Sequence, residues 1–145
     1  MTKALIAIAV ICLVACTARD AVQDQREWLT YEPVVVELVG VLHLTQQFGP
    51  PNFGETPEVD SVISVPLLTL TAPINVRGDS TATLNNETYE QVAEIQLVVS
   101  PESDLSSLVD QRVTVAGTLF QKHTGHHFAD VLMNVQSFAR DSSKE

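Results

Sequence analysis

Along residues 34–45 the side chains alternate: Val34, Val36, Leu38, Gly40, Leu42 and Leu44 fall on one face. Val35, Glu37, Val39, Val41, His43 and Thr45 fall on the other. Period-two alternation rich in β-branched residues predicts a long strand with one face in a core. Gly40 in its middle predicts a bend or bulge, as where a strand curls around a small barrel. A second strand is expected over residues 61–71, with Pro66 marking an edge or a bulge because proline cannot donate to a ladder. A third covers residues 92–99 and points Ala93, Ile95, Leu97 and Val99 one way. A fourth covers 112–121 with Val113, Val115, Gly117 and Leu119 inward, and a fifth covers 131–138.

Breakers separate these runs. Residues 46–57, with Gly49-Pro50-Pro51 and Asn52-Phe53-Gly54, read as a loop, as do residues 73–86 with a turn at Arg77-Gly78-Asp79. Ser100 or Ser103 is placed to cap a short helix through Leu108, with Glu102 and Asp104 near its positive end. The resulting order, β-β-β-α-β-β with a long glycine-interrupted first strand, is that of a mainly β, five-stranded OB-like barrel with one short helix between strands three and four. Closure would remove edges that otherwise invite aggregation. A β-sandwich, or an open β-roll with one helix, is the competing arrangement.

The amino terminus follows a different pattern. Residues 4–15 are continuously apolar after Lys3, shorter than the roughly 20 residues a spanning helix needs. They have the length of a secretory signal peptide. Leu13-Val14-Ala15-Cys16 closes the run and resembles the lipobox of bacterial lipoproteins. That resemblance implies cleavage before Cys16 and acyl chains on its sulfur, which hold a protein to a membrane through buried CH₂ groups. An ordinary signal peptide cut elsewhere, or an uncut anchor, are the alternatives. Thr17 follows the cysteine where enterobacterial lipoproteins retained at the inner membrane carry Asp. The expected location is thus the cell envelope, on an outer membrane facing the periplasm if the source is a diderm. The expected organisation is a signal at 1–15, a lipidated tether at 16–32, an OB-like domain at 33–140 and a tail at 141–145.

Composition narrows the partners. The 145 residues carry 18 Asp and Glu against 8 Lys and Arg, a formal net charge of −10. An acidic surface repels phosphate backbones, so nucleic acid is excluded as a partner. Cys12 would leave with the signal and Cys16 would carry lipid, so no intrachain disulfide is expected. A domain of this size instead relies on a packed core. The sequon at Asn86-Glu87-Thr88 reads as a chance match in a bacterial lipoprotein.

Two loops carry unusual residues: Gly49-Pro50-Pro51-Asn52-Phe53-Gly54-Glu55 and Thr124-Gly125-His126-His127. Together with Ile95-Gln96-Leu97-Val98 and residues 113–120 they resemble an uncharacterised bacterial family of small exported proteins. Its members carry a G-P-P-N-[FY]-G-E loop and a T-G-H-H turn. The resemblance implies a domain boundary and supplies no mechanism. Phe128 stands where a further histidine is common in that pattern.

Three histidines, His123, His126 and His127, lie in the loop between strands four and five, and His43 could approach from the first strand. With Asp130 or Glu55 they form a candidate site for Zn or Cu, since imidazole is a common ligand for both. The competing reading is a turn whose histidines bond the loop itself. In the proline-rich loop, Asn52, Phe53 and Glu55 are candidate ligand contacts; the plain alternative is a stiff connector in which Phe48 and Phe53 cap the barrel. No nucleophile elbow, phosphate-cradling glycine loop or free thiol supports catalysis. No resident cofactor is expected. The expectation is a non-enzymatic module that binds an envelope protein or small ligand through its loops, with transition-metal capture as the alternative.

Overall fold

A computed structural model of the chain describes residues 28–140. The signal segment, Cys16, most of the tether and the tail lie outside the described residues. Six strands form one sheet: β1 (Trp28–Thr30), β2 (Val35–Phe48), β3 (Val62–Arg77), β4 (Tyr89–Val98), β5 (Arg112–Gln121) and β6 (Val131–Arg140). The hydrogen-bonded order is β1-β3-β2-β5-β6-β4, and β4 also pairs with β3, so pairing runs in a ring through β3, β2, β5, β6 and β4. Within that ring β4–β6 is parallel and every other pair is antiparallel.

Alternation placed the core. Leu42, Leu68, Val76, Ile95, Val113, Val115, Leu119, Val131 and Met133 have no exposed surface and pack together. Each buried side chain of this kind contributes roughly 1.5–3 kcal/mol relative to exposure. Gly40 sits where β2 pairs with Leu70 on one side and Val113 on the other. A Cβ there would collide with the Thr69 carbonyl oxygen and approach the Leu68 Cγ to 2.8 Å. The β2–β3 register runs unbroken from Gly40 to Phe48, so close backbone approach, not a bulge, is what requires glycine. Pro66 lies just before the β4 ladder begins at Leu67, where β3 has only β2 beside it.

The expected helix is absent: no described residue is helical. Residues 99–111 instead form successive turns. Ser103 N–H donates to Ser100 O, Leu108 N–H to Leu105 O and Gln111 N–H to Leu108 O. Ser106 N–H goes to the Asp104 carboxylate. Such side-chain acceptors compete with a helical ladder, and a helix this short cannot offset its nucleation cost. Leu105 and Leu108 still pack against the core.

The other departures are additions. β3 continues to Arg77, through residues whose Pro73 suggested a loop, because Pro73 falls in the register irregularity between Thr69 and Ile74. The sixth strand, β1, runs parallel to the end of β3, pairing Trp28 with Asn75. Tyr31 follows it into the core, 5% exposed, and its hydroxyl donates to Glu87 O at 3.1 Å. Burial, with Tyr89 and Glu87 nearby, pushes that hydroxyl well above the usual phenol range. Glu32 N–H donates to Leu119 O at 2.8 Å. Residues 28–32, the end of the tether range where Trp28, Leu29 and Tyr31 suggest docking on the domain, are therefore built into it.

Gly117 offers a test of this packing. A Cβ there would strike the Asn134 carbonyl oxygen and sit 2.8 Å from Met133 Cγ, whereas at Gly125 the nearest atoms lie at 3.5 Å. Gly117→Ala should destabilise the fold by about 1–3 kcal/mol in urea unfolding. Gly125→Ala should cost clearly less, and equal effects would contradict the assigned β5–β6 contact.

Candidate functional site

A second buried set lies on the face opposite the main core. Leu67 is the register partner of Gln96, Gln96 of Leu132, and Leu132 of Phe120; Val65 precedes Leu67 by two on the same face. All five are buried although none belongs to the main core cluster. Two loops rise beside this patch: residues 49–61, joining β2 to β3, and residues 122–130, joining β5 to β6.

The first loop is gathered around one carboxylate. Asp60, 9% exposed, accepts from Asn52 N–H and Gly54 N–H, both at 2.7 Å, and from Thr56 N–H at 3.4 Å. Ser61 N–H donates to Pro50 O and Gly49 N–H to Ser61 O, closing the base. Phe53 (φ 52°) and Gly54 (φ 99°) turn the chain through the left-handed region, which glycine enters without strain. The Asn52 amide donates to Thr56 Oγ1, so it serves the loop itself. Phe53 and Glu55 are exposed.

The second loop is closed by Lys122, which pairs with Asp130 through its ammonium and donates its N–H to Asp130 O. His123 Nδ1 lies 3.0 Å from Gln121 O; a carbonyl only accepts, so that nitrogen carries the proton. His123 N–H donates to His127 Nδ1 at 3.0 Å, which leaves the His127 proton on Nε2. These two rings lie 4.6 Å apart and both contact Phe120, at 5.9 and 5.4 Å. Burial, then His123 and His126, hold the His127 pKa below its ordinary value.

Gln96 fixes the loop to the sheet. Its amide donates to His126 O at 2.9 Å and accepts from Phe128 N–H at 2.6 Å, from a side chain only 6% exposed. His126 then turns toward the first loop, its ring edge-on to Phe53 at 4.8 Å between centroids. A Cβ on Gly125 would lie 3.5 Å from the same Phe53 ring. The two sequence-distant loops thus touch through Phe53, Gly125 and His126.

The five candidate metal ligands do not converge. His43 pairs with Asp110 at 3.0 Å, Asp130 with Lys122, and His126 faces Phe53 while His123 and His127 face Phe120. Among the described residues no group of three or more His, Cys, Asp or Glu could hold a metal ion. Spacing brought three imidazoles together in sequence, but the turn splits them between two aromatic neighbours. Sequence reasoning missed Asp60 and Gln96. A polar residue inside Ile95-Gln96-Leu97 was the visible signal for the second.

Residues 94–139 match a family described as a domain of unknown function (DUF4431). The likeness takes in the second half of β4, all of β5, the histidine loop and nearly all of β6, and leaves the proline-rich loop outside it. It supports the resemblance to an uncharacterised family over that stretch. No curated protein and no solved structure matched the chain.

Gln96→Leu should destabilise the protein by about 1–3 kcal/mol, because it strands Phe128 N–H and His126 O without their partner. Amide exchange at Phe128 should accelerate while that of Val115 in the main core changes no more than the global stability dictates. The depressed His127 pKa also fixes a pH dependence. Folding favours the neutral imidazole, so its contribution is complete above 6.5 and is lost as pH falls below that value toward the folded-state pKa. Between about pH 7.5 and 5.5 the urea midpoint should drop further in the native protein than in His127→Gln. Parallel pH slopes would contradict the lowered His127 pKa.

Proposed function

We propose that this chain is an exported lipoprotein, anchored through acylated Cys16, whose OB-like barrel binds an envelope protein or small ligand without transforming it. The reading of β2, β3, β4, β5 and β6 as OB strands one to five rests on their pairing: first with second and fourth, second with third, and third with fifth in parallel. In that fold the loops after the first and fourth strands flank the ligand face. Here those loops are residues 49–61 and 122–130, and the contact between Phe53 and His126 at 4.8 Å is the observation that carries the proposal. It makes one continuous rim of residues that lie more than seventy positions apart.

Binding is favoured over catalysis by what the polar groups already do. Nδ1 of both His123 and His127 is engaged within the loop, and the Asp60 carboxylate holds backbone N–H groups. The exposed rim offers Phe53, Asn52 and Glu55. On this reading the module faces the periplasm of a diderm envelope, with residues 17–27 as a short lead from the lipid.

Site-directed photocrosslinkers at Glu55 and Thr124 test the shared rim in cells. Both positions should trap the same neighbour, and a probe at Glu102 should not. Distinct neighbours from the two loops would sink the shared rim, and no neighbour from either would sink the envelope-protein partner. Cys16→Ser should move the protein from the membrane to the soluble fraction; retention in membranes would exclude acyl anchoring.

A further inference from the structure

We propose that the outer edge of β2 over residues 44–48 pairs with the same edge of a second copy of this chain, joining the two sheets through antiparallel strands. This pairing is independent of the loop rim. Past the ring of paired strands, β2 and β3 continue as a two-stranded ribbon. β5 accompanies β2 only from Val35 to Val41. Two further bonds, Leu42 N–H to Gln111 O and Asp110 N–H to Leu42 O, end that contact. β2 runs on to Phe48 with β3 alone beside it. Leu42 thus turns both its main-chain groups toward the β5 side. Strand alternation sends those of Leu44, Gln46 and Phe48 the same way, where no strand among the described residues receives them.

The ribbon's other edge is closed by its own sequence. Pro66 stands opposite Leu44, so its nitrogen also faces away from the neighbouring strand, and it has no hydrogen to offer there. Proline, charge and bulges are the usual protections of an exposed edge. The β2 edge has none of them. Leu44-Thr45-Gln46-Gln47-Phe48 is uncharged, and its register with β3 is unbroken.

Charge and symmetry select a second copy as the occupant. The formal net charge is −10, so two copies repel each other except where the meeting surfaces are neutral. The ribbon is such a surface: no Asp, Glu, Lys or Arg occurs from Leu38 to Gly54 or from Ser61 to Val76. The three outward-facing residues are evenly spaced about Gln46. A two-fold axis beside Gln46 therefore sets that residue against itself and Leu44 against Phe48 of the other copy. Each of the three pairs exchanges two main-chain bonds, about six in all. The side chains match in this register. Leu44 and Phe48, 43% and 42% exposed, become an aliphatic–aromatic cross-strand pair that occurs twice. Pro66 and Val62, their β3 partners, extend the apolar row on either side. Gln46 gives one amide hydrogen to Ser64 Oγ at 2.7 Å, which leaves the second hydrogen and the carbonyl oxygen for the facing amide. On the opposite face Thr45 meets Gln47, a hydroxyl beside an amide. A contact of this length belongs to the weak, reversible class of interfaces.

Sedimentation equilibrium of the intact chain in density-matched detergent, over a concentration series, should show reversible dimers. Amide exchange at Gln46 should slow as the concentration rises. Leu44→Lys replaces an exposed side chain and should raise the dissociation constant about tenfold or more, because both aliphatic–aromatic pairs are lost and the edge gains a charge. Gln46→Pro, which copies the device on β3, gives the same reading should the lysine variant fail to fold. In the intact Cys12→Ser/Cys16→Ser chain, Gln46→Cys should form a disulfide-linked dimer under mild oxidation, since facing residues of this kind lie about 5.5 Å apart between Cα atoms. Thr45→Cys should link far less, because the two copies of residue 45 stand two positions out of register. A photocrosslinker at Gln46 in cells should trap the protein itself. A monomer at every concentration, an unchanged dimer in a folded edge variant, preferential linking through Thr45→Cys, or capture of a different protein alone would each overturn the proposal. So would concentration-independent protection at Gln46, the mark of a segment of the same chain lying on that edge.

Discussion

Three residue pairs hold the architecture together: Gln96 with Leu132, Leu97 with Met133 and Val98 with Asn134, the parallel seam of β4 and β6. Every other contact in the ring joins antiparallel neighbours. Together with the β3–β4 pairing this seam brings the sheet back on itself, and parallel pairing is slightly the weaker kind per residue. Its side chains compensate for that. Leu97 and Met133 sink into the main core, while Leu132 and Gln96 enter the buried patch on the opposite face. One short seam therefore anchors two hydrophobic layers.

Gln96 stands in that seam and its side chain holds the histidine loop, so the loop is fixed to the strand pair β4–β6. An amide suits the task because it donates and accepts at once. It satisfies His126 O and Phe128 N–H simultaneously, and buried polar groups left unmatched are costly. The loop thereby reaches Phe53, and the connections of two neighbouring hairpins, β2–β3 and β5–β6, become one surface.

Periodicity made the strands legible and left the loops obscure. β5 occupies residues 112–121 as its alternation indicated, with Val113, Val115, Gly117 and Leu119 inward. β2 and β6 run slightly beyond their expected ends, since polar residues such as Gln46 and Gln47 sit comfortably on a hairpin that extends past the core. The short helix did not form, because local side-chain acceptors at Ser100 and Asp104 dominate a segment with too few turns to resist them. β1 is three residues long and has no alternation to read; pairing with the end of β3, a tertiary effect, is what makes it a strand. At the site the limit was similar. Sequence grouped the imidazoles by neighbourhood, whereas ring packing against Phe120 and Phe53 sorted them. Asp60 escaped notice because its partners are main-chain N–H groups, which every sequence possesses.

The Asp60 carboxylate separates the path of the proline-rich loop from the identity of its outer side chains. The bend is drawn by amides converging on two oxygens, so Glu55, Pro57, Glu58 and Val59 point outward with no part in that gathering. Those positions form an exchangeable fringe on a fixed chassis. Related chains could alter what they recognise by editing the fringe while the aspartate, the glycine at 54 and the hairpin beneath stay as they are.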